Sequence, residues 1–135
     1  MITLKAPDYL RIEVTRNQHL LYTTWLRQTS SEELRAGVLR FLQVIREYDI
    51  RFWIIDAHQL RSPSVADQQW ILKEVSPELA ASGLRKLARI GSSDVFQYIA
   101  YENIADKTHS QFLAKASFAQ FTSLQAAQDW INMMD

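Results

Sequence analysis

Asp56 and His58, two residues apart where the apolar run Phe52-Trp53-Ile54-Ile55 gives way to a polar crossing, carry the most evident chemistry in this chain. A carboxylate at the carboxyl end of a buried strand lies on the edge where open α/β sheets usually place ligands and catalytic groups. A receiver-type phosphoacceptor aspartate would fit there, but it needs an acidic, metal-binding cluster after the first strand, and that stretch reads Thr15-Arg16-Asn17. An aspartyl-phosphate phosphatase would place a second acid two residues on as general acid, and His58 holds that position. Ser-His-Asp catalysis needs a nucleophile in a strained elbow, and no G-x-S-x-G run occurs. The competing role for Asp56 is structural: a strand-ending aspartate accepting backbone N–H bonds in the turn before Ser64. Catalysis through Asp56 and His58 therefore ranks third among the functions considered, and no catalytic residue is assigned.

Other chemistries lack their parts. His19, His58 and His109 show no pair at metal-binding spacing on one helix, so no metal site is expected. The three glycines, Gly37, Gly83 and Gly91, form no Gly-rich turn through which backbone N–H groups could cradle a phosphate, and no cofactor is expected. With no cysteine, disulfides and thiolate chemistry are absent. Lys plus Arg and Asp plus Glu balance at 15 each, so no net field recruits nucleic acid, and Arg85, Lys86 and Arg89 make only a small basic cluster. The longest aliphatic or aromatic block, Phe52 to Ile55, is too short to span a bilayer, and Met1 to Pro7 does not read as a leader. A cytoplasmic protein is the expectation, with 1–135 as one domain whose 47% hydrophobic content suffices for a core.

The elements that must hold these residues follow from periodicity. Tyr9 to Thr15 alternates, with Leu10, Ile12 and Val14 on one side, and pairs across Arg16-Asn17-Gln18 with a second strand, His19 to Trp25. Leu34, Val38, Phe41, Leu42, Ile45 and Tyr48 stripe a helix opened by a Ser30–Glu33 capping box. Arg51 to Ile55 reads as a central strand with both faces covered. Ser64 caps the next helix, with Asp67 reaching back in a similar box, and Ser76-Pro77 predicts a break before a short helix that stops near Gly83. Leu87 to Ile90 is a strand, a helix from Ser93-Asp94 runs through Ile104 to Leu113, Phe118 to Thr122 is the last strand, and Leu124, Ala127, Ile131 and Met134 stripe a terminal helix. The prediction is an α/β fold with a mixed five-stranded sheet, mostly parallel with one antiparallel edge strand, in the order β-β-α-β-α-β-α-β-α. Trp53 and Trp130 read as core, whereas Trp25 and Trp70 lie nearer element ends and read as surface or interface residues.

This order, with a polar loop and helix start after the central strand, resembles the STAS domain of anti-sigma-factor antagonists. More narrowly it is similar to the SpoIIAA-like group, whose fold is related to the lipid-binding CRAL-TRIO type. The local runs are WIIDAHQL (53–60), DQQWI (67–71), RKLARIG (85–91) and SLQAAQDWI (123–131). The resemblance implies non-catalytic regulation through a protein partner, and the place of the loop at the carboxyl edge, with no complete catalytic set, makes Asp56, His58, Arg61, Ser62, Ser64 and Trp70 the expected contact surface. It also implies phosphorylation at the helix start. The ungapped register puts Val65 at the usual acceptor position, leaving Ser64 or Ser62 as acceptors in a shifted register. A binding protein for a lipid or other apolar small molecule is the alternative, supported by the aromatic content. A homodimer through the polar face of the first strand and Trp25 is a further expectation.

Overall fold

The structure, a computed structural model, describes residues 1–133. Its strands are β1 (Ile2–Leu4), β2 (Leu10–Thr15), β3 (Leu20–Trp25), β4 (Phe52–Asp56), β5 (Lys86–Ile90) and β6 (Ser117–Phe121), joined in one sheet in chain order. The helices are α1 (Ser31–Glu47), α2 (Val65–Trp70), α3 (Ser76–Ala81), α4 (Val95–Phe112) and α5 (Leu124–Ile131). β1 to β3 pair antiparallel and β3 to β6 parallel, so the mixed, mostly parallel α/β architecture is present. The strand count needs correction: the sheet has six strands, because Ile2 and Leu4 pair opposite Val14 and Ile12 and extend the edge. β2, the antiparallel strand, is thereby moved inside the sheet. Three residues are too few to show a period of two, which is why this edge is silent in the sequence.

The pleat divides the sheet residues between two faces. Register aligns Leu21, Trp53 and Leu87, and one step along Thr23, Ile55 and Arg89, on the face covered by α1, the α2–α3 segment and α4. Leu10, Ile12, Val14, Leu21 and Trp53 pack there with Phe41, Val44 and Ile45 of α1, each such burial contributing about 1.5–3 kcal/mol. Phe52, Ile54, Ala88 and Ile90 face the other way, onto Ala127 and Ile131 of α5. On that side Lys86 donates to the carbonyls of Trp130 (3.0 Å) and Met133 (2.8 Å), where a cation satisfies a helix C-terminus. Met134, expected on the α5 stripe, lies outside the described residues.

Local chemistry sets the helix ends. Ser30 Oγ accepts from Glu33 N (3.1 Å) and Glu33 Oε1 from Ser30 N (3.0 Å), so the α1 capping box forms as the spacing predicts. Gly37 allows Trp25 to lie against α1, since a Cβ there would stand 2.6 Å from the indole ring. Trp25 is consequently 3% exposed, stacked on Tyr9 and edge-on to Phe41. It is core, not a dimer surface. The predicted break at Ser76-Pro77 is also corrected. α2 continues through a π-helical turn, Ile71–Val75, in which Ser76 N–H reaches Ile71 O, five residues back, and the helix passes straight into α3 with proline in its first turn. Leu113, expected within α4, instead caps it in the left-handed region (φ 55°) with its side chain exposed.

Candidate functional site

Asp56 ends β4 as expected, and its carboxylate is occupied locally. Its Oδ1 accepts from the backbone N–H of His58 (3.3 Å) and is hydrogen-bonded to His58 Nδ1. The other ring nitrogen of His58 meets the Gln59 side-chain amide at 3.3 Å. This is an aspartate closing a turn, with a histidine whose second nitrogen faces an amide and not a nucleophile. Tyr22, across the sheet on the same face, has its pKa raised by burial and then by the Asp56 charge.

The rest of the expected surface is only partly assembled. Arg61, Ser62 and Ser64 are exposed, and Arg61 N–H donates to Gln28 Oε1 (2.7 Å), fixing the loop against the segment before α1. Ser64 caps α2 by accepting from Asp67 N (3.1 Å). The reciprocal half of that box does not form. Asp67, 5% exposed, turns instead to α1, accepting from Ser31 Oγ (2.6 Å) and Arg35 Nε (3.0 Å). Burial alone would raise its pKa, but the hydrogen bonds from Ser31, Arg35 and Ser64 and the Arg35 charge outweigh that and hold it below the usual value. Trp70 is half-buried with the Arg35 guanidinium 5.3 Å from its ring centroid. Val65, at the position that the resemblance makes the phosphoacceptor, is 69% exposed.

A mostly apolar concave feature lies elsewhere. Between the sheet and α1, the π-helical turn, α3 and α4 is a cavity of about 120 Å³ whose apolar wall includes Trp53, Phe41, Val75, Leu79, Ile104 and Phe118. Its polar end is formed by Arg89, Tyr101, Glu102 and Gln120. Arg89 is 3% exposed, and its Nη1 donates to Gln120 Oε1 at 2.8 Å. Gln120 Nε2 donates in turn to Glu102 Oε1 (3.1 Å) and Tyr98 O (3.0 Å). The guanidinium carbon sits 3.7 Å from the centroid of the Tyr101 ring. Arg89 Nε and Nη2 are buried with no hydrogen-bond partner, and burial pulls the pKa of the group down, partly offset by Tyr101. Burial of this kind is expensive and calls for an explanation.

Arg89 was visible in the sequence only as part of a basic cluster, and the structure disperses that cluster. Arg85 is exposed, Lys86 turns to α5, and Arg89 turns to the cavity. The signal that could have found it is parity: in a strand alternating faces, Arg89 shares its side with the apolar Leu87. Among the described residues no group of three or more His, Asp or Glu side chains is arranged to hold a metal ion, and no helix is long and apolar enough to cross a membrane.

No family model and no curated protein matches the chain. Among solved structures it is similar to an uncharacterized protein of the DUF3478 family with a SpoIIAA-like fold from Shewanella loihica PV-4. The identity is 14%, the TM-score 0.58, and the alignment covers 90% of this chain and 91% of that one. The fold of this chain is thus SpoIIAA-like, as the element order suggests.

Proposed function

We propose that this chain is a non-catalytic binding protein for an apolar small molecule, held between the sheet and α1, the π-helical turn, α3 and α4. The observation that carries this reading is the cavity itself, walled by Trp53, Phe41 and Phe118 and closed at one end by a small polar cluster. Ligand sites are concave and mostly apolar, with a few polar groups that fix orientation. Volume bounds the occupant. An apolar cavity of about 150 Å³ takes up benzene, so about 120 Å³ suits a compact ring or short chain. A long-chain lipid would require the helices to part. Titration with toluene tests the reading: at saturation it should raise the midpoint of thermal unfolding, and Ala105→Leu, which fills the cavity from α4, should abolish the shift. No shift in the unsubstituted protein refutes the proposal.

A second reading is a regulatory contact with a protein partner through Asp56, His58, Arg61, Ser62, Ser64 and Trp70. It is favoured by Val65, whose exposed side chain stands beside exposed Arg61, Ser62 and Ser64 at one sheet edge. Phosphate on Ser64 would place charge at the start of α2, close to the Arg35–Asp67 pair. Capture experiments with the unsubstituted chain and Ser64→Asp test it, and recovery of the same background by both removes it. A homodimer through the polar face of β2, Arg11 and Glu13, is tested by sedimentation.

A further inference from the structure

The two orphan donors of Arg89 are not a random pair. Nε–H and Nη2–H lie parallel on one edge of the guanidinium, the edge that grips a carboxylate through two N–H···O bonds. The remaining edge is already oriented, since Nη1 is held by Gln120 and the plane by Tyr101. Gln120 is fixed in its turn by Glu102 and the Tyr98 carbonyl. The result is a guanidinium immobilised by its neighbours with its Nε–Nη2 edge unpaired, at one end of a cavity whose other hydroxyl-bearing lining residues, Ser76 and Thr108, are hydrogen-bonded to each other at 2.8 Å. Among the described residues no carboxylate pairs with it directly; Glu102 reaches it only through Gln120.

Resting on the ligand-binding function proposed above, we infer that the occupant is a compact organic monocarboxylate, bound side-on by Nε–H and Nη2–H of Arg89 with its apolar body against Trp53, Leu79 and Phe118. The chemistry separates this class from neighbours. A neutral hydrocarbon leaves the buried donors unpaired, which costs about 1–3 kcal/mol for each such group. A phosphate dianion meets the Glu102 charge one side chain away. A monocarboxylate of benzoate size satisfies both donors and neutralises the one buried guanidinium at this site, with its ring directed into the cavity and its carboxylate at the Arg89 end. Arg89 and Gln120 also border the surface depression formed with Gly91, Ser92, Tyr98 and Phe121, so the anionic end of the ligand lies next to the solvent-facing edge of the sheet.

Calorimetric titration of the full chain with benzoate, and with toluene as the neutral probe of similar size, tests the inference. Benzoate should bind at least about tenfold more tightly than toluene, and Arg89→Gln should remove that advantage. A measurement without any substitution stands beside it: benzoate, and not toluene, should shift the Arg89 Nε–H resonance in ¹H–¹⁵N spectra. Toluene binding with no benzoate advantage, or a benzoate advantage that survives Arg89→Gln with an unmoved Nε–H, overturns the carboxylate assignment and leaves the cavity reading in place. Binding of neither probe overturns both.

Discussion

Arg89→Met should make the ligand-free protein more stable. In the folded chain the guanidinium is buried, its Nε and Nη2 lack partners, and no carboxylate pairs with it among the described residues. An uncompensated charge in such a place costs several kcal/mol, and replacing buried ionic groups by apolar ones of similar volume is often stabilising by about 1–4 kcal/mol. Taking about 3 kcal/mol for the relief, one subtracts about 1–2 kcal/mol for Gln120 Oε1, which loses its donor. The expected net is a gain of about 1–2 kcal/mol. With an urea m-value of about 2 kcal/mol per M, the unfolding midpoint moves up by about 0.5–1 M at unchanged slope. Saturating benzoate should reverse the order, because a ligand at a hundred times its Kd stabilises only the protein that binds it, by about 2.7 kcal/mol. A midpoint that falls by more than about 0.5 M for Arg89→Met would refute the reasoning, since it would show the guanidinium to be a structural prop.

Three further expectations concern the scaffold. Gly37→Ala places a Cβ 2.6 Å from Trp25 and 3.1 Å from Leu10; overpacking of about 1–3 kcal/mol exceeds the helix-propensity gain of about 1 kcal/mol, so urea unfolding should show a net loss and near-UV circular dichroism a changed tryptophan band. Asp67→Asn removes a buried carboxylate bonded to Ser31 and Arg35 and should cost about 2 kcal/mol at neutral pH. Because the folded Asp67 pKa lies below the ordinary 3.8, its contribution is complete above that value and is lost as pH falls through the folded pKa; the gap between variant and unsubstituted protein should therefore close in unfolding curves taken below pH 3.8. Ser30→Ala removes the acceptor of Glu33 N–H at the α1 start and should lower stability by about 1 kcal/mol, read by the same denaturation.

Most of the scaffold is legible wherever one local rule acts alone. The alternation of Leu10, Ile12 and Val14 and the Ser30–Glu33 box each state their element outright, and both form. The misreadings arise where a distant partner changes the outcome. Pro77 looks like a stop, yet a π turn five residues long lets the chain absorb it without leaving the helix. Asp67 sits at the right spacing for a capping box, but Ser31 and Arg35, more than thirty residues earlier, offer stronger bonds than the free N–H at the start of α2. Trp25 ends a strand and so looks exposed; the absence of a side chain at Gly37, on another element, is what lets it sink into the core.

The same distinction explains why the candidate site shifts from Asp56 to Arg89. Asp56 announces itself because a strand visibly ends there, and the chemistry that the position suggests is spent on His58, two residues away. Arg89 sits three residues from Lys86 in one strand, and the sequence gives the two cations equal standing. What separates them is which helix covers which face. Lys86 finds the carbonyl end of α5 and is satisfied by it, whereas Arg89 finds a cavity whose side chains supply one acceptor, from Gln120, and leave two donors over. A strand that buries a satisfied cation on one side and an unsatisfied one on the other meets the demands of folding only on the first. The deficit on the second is the physical reason to place the ligand there, and it is the quantity that Arg89→Met, with and without benzoate, measures directly.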